Sequence, residues 1–212
     1  MSSQPVEDAA PISRVERKRG RRIQEIISTA AELFGERGYD AVSLEDVAER
    51  LDVTKGSLYY YFAGKDELAV AAIETLGAEW TGRLERLAAT TGGSPDARLR
   101  ALIREHVAIA VGEYPAALRL FLVPSTWPDD PRERIKELRR RHDRVFRAVV
   151  EEGIASGELA VVGLDTTLQC MHAAMAQAPL WCAGLEDEAR ERALDELTDT
   201  LMKLVAAPAA AP

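Results

Sequence analysis

The sequence has few cysteines and no long apolar segment. Its two cysteines, Cys170 and Cys182, fall on one predicted helix, twelve residues apart. That spacing separates them by roughly 18 Å, which is too far for a disulfide bond. Neither a basic leader followed by an apolar stretch nor an apolar run of ~20 residues is present. We therefore expect a cytoplasmic protein with reduced thiols and no contact with a membrane.

Short motifs typical of enzymes are also missing. The sequence has no His-Glu spacing of a zinc protease, no Gly-Lys-Ser/Thr phosphate loop and no Gly-x-Ser-x-Gly elbow. Cys170 and His172 lie two positions apart, and such residues point to different faces of a helix. We interpret both as packing residues and expect no catalytic residue, no metal and no cofactor.

No segment shows the two-residue alternation of a half-buried strand, whereas apolar residues recur at spacings of three and four along most of the chain. The hydrophobic content of 47% is sufficient for a packed core. We predict an all-α fold of about nine helices. The expected organisation is a disordered basic arm (1–19), a three-helix domain (20–65), a larger helical domain (66–205) and a disordered tail (206–212).

Charge is distributed unevenly along the chain. The formal net charge is −8, yet residues 14–22 contain six basic residues and one acid. From Asp66 onward there are 17 basic and 24 acidic residues, a net charge of −7. A basic segment on an acidic body favours directed contact with DNA over general attraction. The basic residues predicted to contact phosphates or a minor groove are Arg17, Lys18, Arg19, Arg21 and Arg22; alternatively, they form a solvated flexible arm.

Two short helices joined by a tight turn follow the first long helix, and this is the helix-turn-helix pattern. Ser43 can cap the first of them with Asp46, and Thr54 can cap the second, predicted to span residues 54–62. Gly56 costs helix stability but lets the backbone approach DNA closely. Thr54, Lys55, Ser57, Tyr59 and Tyr60 are candidates for contacts with bases or phosphates.

The three consecutive tyrosines, Tyr59, Tyr60 and Tyr61, have an alternative interpretation as an aromatic cluster packed on the first helix. Three successive helical residues span roughly 200° of the circumference, so they cannot all face one core. We expect at least one of them to be exposed.

Residues 54–62, followed by Lys65 and Leu68, resemble the signature of the TetR family of repressors. The resemblance covers roughly residues 20–70. It implies that Ser43 contacts a phosphate from a helix N-terminus and that Lys55, Gly56, Ser57 and Tyr59 approach bases. It also implies that Tyr60, Tyr61 and Lys65 meet the DNA backbone; Tyr61 stands where histidine is common in the family.

The resemblance further implies a homodimer formed through the last two helices. The leucine stripe Leu194, Leu197, Leu201 and Leu204 suits that use, although an intramolecular core stripe has the same spacing. Two recognition helices one DNA turn apart, roughly 34–36 Å, imply a near-palindromic operator.

A small-molecule effector is expected in the larger domain, in a pocket between the fourth and eighth helices. The apolar candidates, each of which also suits a plain core, are Trp80, Leu84, Ile103, Val107, Phe121, Phe146, Met171 and Met175. His106 and His142, with His172, orient a ligand or are satisfied core histidines. Arg139, Arg140 and Arg141 meet an anionic ligand or form a solvated face. The predicted function is a repressor released from its operator by a ligand; the alternative is a constitutive DNA-binding protein of the same fold without an effector.

Overall fold

The computed structural model describes residues 13–113, 129–182 and 184–207. This part of the chain is all-α and holds eight α-helices, in agreement with the predicted fold class. They are α1 Arg14–Arg37, α2 Leu44–Arg50, α3 Lys55–Tyr59, α4 Lys65–Thr90, α5 Pro95–Ala108, α6 Asp129–Ser156, α7 Leu164–Trp181 and α8 Asp187–Met202. A π-helical turn, Ile109–Glu113, extends α5. Phe121, predicted to line the effector pocket, lies outside the described residues.

The first helix is longer than the sequence pattern indicated. Residues 14–19, predicted to belong to a disordered arm, form the first turns of α1. The reason is a capping box: the Ser13 hydroxyl accepts from the Glu16 N–H, and the Glu16 carboxylate accepts from the Ser13 N–H. At the other end, Gly38 has φ 84° and donates its N–H to the Phe34 carbonyl.

The third helix is shorter than predicted. It ends at Tyr59, Tyr60 and Tyr61 follow in a turn, and Phe62 comes next. The Tyr61 N–H bonds the Leu58 carbonyl three residues back, so the helix tightens and ends there. Leu58 and Phe62 remain buried and hold this turn to the body.

Two hydrophobic clusters form the core, and α4 takes part in both. Its first half, with Leu68, Ile73 and Leu76, packs with α1, α2 and α3. Leu84, in its second half, packs with α5 to α8. A single rigid helix therefore connects the helix-turn-helix to the larger helical domain.

The leucine stripe predicted to form a dimer interface faces the inside of this chain. Leu194, Leu197 and Leu201 are buried in the second cluster because α8 packs against α5. Arg100 and Arg104 of α5 bridge to acids of α8 and hold this orientation. Leu204 lies beyond the end of α8 and is 44% exposed.

Ala206, predicted to begin a disordered tail, instead forms an antiparallel bridge with Leu159. The bridge is supported by the Ala160 N–H, which donates to the Val205 carbonyl at 2.9 Å. Leu159 and Val205 are both buried, which anchors the two segments. Among the described helices, none is long and apolar enough to cross a membrane.

Candidate functional site

The helix-turn-helix presents one exposed face at α3. Thr54, Lys55, Gly56, Ser57, Tyr59 and Tyr60 are all exposed, whereas Leu58 is fully buried. The Thr54 hydroxyl caps α3 by accepting from the Ser57 N–H, and it lies 2.9 Å from the Ser57 hydroxyl. These hydrogen bonds cap the start of α3 beside the residues predicted to contact bases.

Ser43 holds the start of α2 in the same manner. Its hydroxyl accepts from the Asp46 N–H, and the Asp46 carboxylate accepts from the Ser43 N–H at 2.8 Å. Hydrogen bonds from Ser43 lower the pKa of Asp46, with a smaller contribution from Arg37. Ser43 is half-buried at the N-terminus of α2, the end of a helix that favours a phosphate.

Lys55 has a partner that the sequence analysis missed. Its ammonium group pairs with Glu45 of α2 and lies 5.4 Å from the centre of the Tyr59 ring. Both charged side chains are about half exposed, so water screens the pair. Lys55 can therefore exchange Glu45 for a DNA group at little cost.

Two of the three tyrosines are exposed, which confirms that at least one of them faces away from the core. Tyr59 is 47% and Tyr60 73% exposed, while Tyr61 is half-buried and meets Tyr60 edge-on at 5.0 Å between ring centres. Lys65 is half-buried: its ammonium group donates to the Tyr39 carbonyl at 3.1 Å and covers the Tyr39 ring. The Tyr39 hydroxyl in turn bonds Asp66, and burial followed by Asp66 raises the pKa of Tyr39. Lys65 thus ties α4 to the loop after α1.

A groove lies between the basic segment at the start of α1 and the turn that follows α3. It has a volume of about 640 Å³ and is lined by Val15, Lys18, Arg19, Arg21, Arg22, Glu25, Tyr60 and Tyr61. Four cations against one carboxylate give it a net charge of +3. Arg22 pairs with Glu25 at 2.6 Å, and Arg17 lies earlier on the same helix. The sequence showed the charges but not that they share a surface with the tyrosines. This groove is hereafter called the basic groove.

The predicted effector residues lie in the second core and around one small cavity. Trp80, Leu84, His106 and His142 line this cavity together with Gly77, Thr81 and Ile109. Its volume is about 10 Å³, the size of a single water molecule. The other apolar candidates, Ile103, Val107, Phe146, Met171 and Met175, are fully buried in the packed core. In this conformation the cavity between Trp80, Leu84, His106 and His142 is too small for a ligand.

All three histidines of the chain meet beside this cavity. The ring centres of His106 and His142 are 5.0 Å apart, and those of His142 and His172 are 5.3 Å apart. Burial, reinforced by His172, lowers the pKa of His142 to about 3, and burial also lowers the pKa of His106. The imidazole of His172 lies 3.4 Å from Asp143. Although the rings are close, no group of three metal-binding side chains is suitably placed in the described ranges.

An outer cleft runs along the boundary of α4, α5 and α6. Its volume is about 530 Å³, and its charged lining consists of Arg98, Arg141, Arg144, Glu85 and Glu152. Arg141 makes two hydrogen bonds to Glu85, at 2.8 and 2.6 Å, which lower the pKa of that carboxyl. Of the three arginines named in the sequence, only Arg141 lines this cleft. Arg98 and Arg144 could not be assigned to it without the packing of the helices.

The chain matches two parts of a known family. Residues 26–72 match "Bacterial regulatory proteins, tetR family", and residues 92–205 match "Tetracyclin repressor-like, C-terminal domain". The "Fatty acid metabolism regulator protein" of Bacillus subtilis (strain 168) is 25% identical over 147 residues, 69% of this chain and 75% of that protein.

Two solved structures show the same fold at low identity. One is AibR in complex with isovaleryl coenzyme A and operator DNA, at TM-score 0.72 and 20% identity, covering 88% of this chain and 99% of that one. The other is FadR from Bacillus subtilis in complex with stearoyl-CoA, at TM-score 0.68 and 20% identity, covering 85% and 96%. Because the second family match alone spans more than half of the 212 residues, the chain belongs to the TetR family and is a DNA-binding transcriptional regulator, not an enzyme.

Proposed function

We propose that the protein is a homodimeric repressor that binds a near-palindromic operator and leaves it when a small molecule binds. The observation that carries this proposal is the exposed face of α3. Lys55, Gly56, Ser57 and Tyr59 are free to approach base edges while Leu58 is fully buried behind them. Ser43, Tyr60, Tyr61 and Lys65 are assigned to the DNA backbone.

The basic groove extends this surface along the DNA. Its charge of +3 and its adjacency to Tyr60 and Tyr61 suit a phosphate strand that continues beyond the bases read by α3. The contribution to affinity is independent of sequence and falls as salt rises.

We assign the contacts with the second protomer to exposed apolar residues at the end of α7 and beyond the end of α8. Leu180 is 53%, Trp181 48% and Leu204 44% exposed, although large apolar side chains are normally buried. Because the leucine stripe of α8 packs inside the chain, these residues, and not the stripe, are the dimer contacts that we propose.

We assign the effector to one chemical class, the acyl-coenzyme A thioesters. Two proteins of the same fold are complexes with such thioesters, and the Bacillus subtilis relative is a regulator of fatty acid metabolism. In this chain, the three arginines of the outer cleft suit the phosphates of coenzyme A. Glu85 and Arg141 of the cleft adjoin Leu84 and His142 of the small cavity, so an acyl group can enter between α4 and α6.

Separation of α4 from α6 would connect ligand binding to DNA binding. A ligand pocket commonly needs ~300 Å³ or more, so an acyl group must move α4 away from α6 to enter. Since α4 begins directly after the helix-turn-helix, such a movement changes the spacing of the two recognition helices. The ligand shifts the equilibrium only if it binds the separated arrangement more tightly.

A constitutive DNA-binding protein without an effector is the second candidate. One observation favours it: the interior cavity of about 10 Å³ is too small for a ligand. It differs from the first candidate in a single measurable property, the dependence of operator affinity on ligands.

The experiment begins with selection of an operator from random DNA by the purified protein. Fluorescence anisotropy then measures the affinity for that operator with and without isovaleryl-CoA and stearoyl-CoA, with free coenzyme A as the control. A ligand-responsive repressor loses affinity with at least one thioester and not with coenzyme A. Affinity that is unchanged by both thioesters supports the constitutive alternative.

A further inference from the structure

The small cavity contains polar atoms that its surroundings leave unsatisfied. Thr81 of α4 is fully buried, and its hydroxyl oxygen has no hydrogen-bond partner. His106 of α5 is 6% exposed, and its Nε2 atom also has none. Both residues line the cavity, together with Gly77, Trp80, Leu84, Ile109 and His142. Buried polar atoms are nearly always paired, so two unpaired atoms in one cavity require an explanation.

Another buried threonine shows that this arrangement is not imposed by the helix. Thr198 of α8 is 3% exposed, and its hydroxyl donates to the Leu194 carbonyl at 2.7 Å. A threonine within a helix can make this bond to the carbonyl four residues back when its side chain adopts the matching rotamer. Thr81 does not make it, so its hydroxyl is available to a group inside the cavity.

The lining also determines which group fits. No Asp, Glu, Lys or Arg lines the cavity, so neither a carboxylate nor an ammonium group would find an opposite charge there. A threonine hydroxyl both donates and accepts, and a neutral imidazole nitrogen does one or the other according to its tautomer. Burial lowers the pKa of His106 and keeps its imidazole neutral. The complementary group is a neutral oxygen, either a hydroxyl or a carbonyl.

We infer that this cavity is the polar subsite of the effector pocket and that Thr81 and His106 bind a neutral oxygen on the acyl group of the effector. The inference rests on the proposed ligand-responsive function and makes it more specific. The effector belongs to the oxygenated acyl thioesters, such as 3-hydroxyacyl or 3-oxoacyl compounds, and saturated acyl chains are poorer ligands. Since Thr81 lies on α4 and His106 on α5, one oxygen bonded to both fixes α4 relative to α5.

The test compares matched thioesters on matched variants. Binding of 3-hydroxybutyryl-CoA and of butyryl-CoA is measured by calorimetry on the wild type, Thr81→Val and Thr198→Val. Valine keeps the shape of threonine and removes the hydroxyl. The wild type is expected to bind the hydroxylated thioester about 10- to 100-fold more tightly. Thr81→Val loses this preference and retains its affinity for butyryl-CoA, while Thr198→Val keeps the preference.

Thermal unfolding without ligand gives a second readout. Thr81→Val is expected to keep or raise the Tm, because the lost hydroxyl has no partner; Thr198→Val lowers it, because a buried hydrogen bond is lost. A lower Tm for Thr81→Val would show a satisfied structural hydroxyl and overturn the inference.

Different experimental outcomes would contradict the inference and the proposed function. Equal affinity of the wild type for the two thioesters, with operator release by both, overturns the polar subsite and leaves the acyl-CoA effector intact. Absence of binding by both, with unchanged operator affinity, overturns the effector class and the subsite together.

Discussion

At the scale of single residues, Lys55 shows how the free protein differs from the DNA complex that we propose. In the free protein its ammonium group pairs with Glu45, and water screens both charges. We expect Lys55→Ala to weaken specific operator binding about 10- to 100-fold, because a base or phosphate contact is lost. Anisotropy titration measures this effect. Lys136→Ala is the control, since Lys136 is also an exposed lysine paired with a glutamate; equal losses in both variants would contradict the assigned role of Lys55.

Gly56 separates the requirements of folding from those of DNA binding. A Cβ atom at this position would find only the Thr54 hydroxyl oxygen, at 4.0 Å, so the free protein has room for alanine. We expect Gly56→Ala to keep or slightly raise the Tm, since alanine favours a helix by roughly 0.5–1 kcal/mol. Operator affinity should nevertheless fall, because the methyl group occupies space needed by the DNA. Wild-type affinity in this variant would show that α3 does not approach DNA at Gly56.

At the scale of helices, the first turns of α1 hold the basic residues in an ordered helix beside the basic groove. We expect Arg19→Gln with Arg21→Gln to lower the slope of log affinity against log salt by about 3.6 for the proposed dimer, since its two protomers lose four phosphate contacts and each contributes ~0.9. Both residues line the basic groove. The matched control, Arg140→Gln with Arg192→Gln, removes two exposed arginines that lie far along the sequence and pair with glutamates. An unchanged slope in the first variant would remove the basic groove from the DNA interface.

The histidine cluster links α5, α6 and α7 and predicts acid sensitivity. The pKa values of His106 and His142 are lower in the folded protein than their ordinary value, so the unfolded chain binds protons more readily. Stability is therefore full above pH ~6.5 and falls as the pH drops below it, toward the folded pKa of about 3 for His142. The expected loss is ~1.4 kcal/mol per pH unit for each histidine.

Urea unfolding between pH 7 and 5 measures this dependence, and His142→Phe provides the comparison. Most carboxylates titrate below this window, so the slope within it reports chiefly on the histidines. In His142→Phe, the free energy of unfolding should change with pH roughly half as steeply as in the wild type. An unchanged slope would show that His142 is not held neutral by the fold.

The helices differed in how far the sequence could predict them. The Ser13 and Glu16 spacing of the α1 capping box is visible in the sequence, but the dense positive charge and Gly20 favoured an arm. The reading face of α3 was predictable because Leu58 and Phe62 have helical spacing. Four predicted effector residues, Trp80, Leu84, His106 and His142, do line the small cavity, but its size could not be predicted because it depends on how three helices pack together.

At the scale of the whole molecule, the proposed dimer requires an apolar surface that remains exposed after the chain has folded. The spacing of Leu194, Leu197 and Leu201 could not distinguish an internal contact from a dimer contact, and the packing of α8 on α5 places them inside. A regulator that reads two half-sites still needs a second copy. Leu180, Trp181 and Leu204 are among the large apolar side chains that stay exposed in the described part of the chain, and they are the ones that we assign to this contact.

We therefore expect Leu180→Glu with Trp181→Glu to convert the dimer into a monomer, because each protomer would bury two new carboxylates in an apolar contact. Sedimentation velocity measures the mass, and circular dichroism checks that the helices persist. Ile154→Glu, which alters an exposed apolar residue of α6, is the control and should remain dimeric. In the monomer, α3 keeps its contacts with one half-site, but the joint binding of two half-sites is lost, so operator affinity falls far more than affinity for random DNA. A double variant that remains dimeric would place the interface elsewhere.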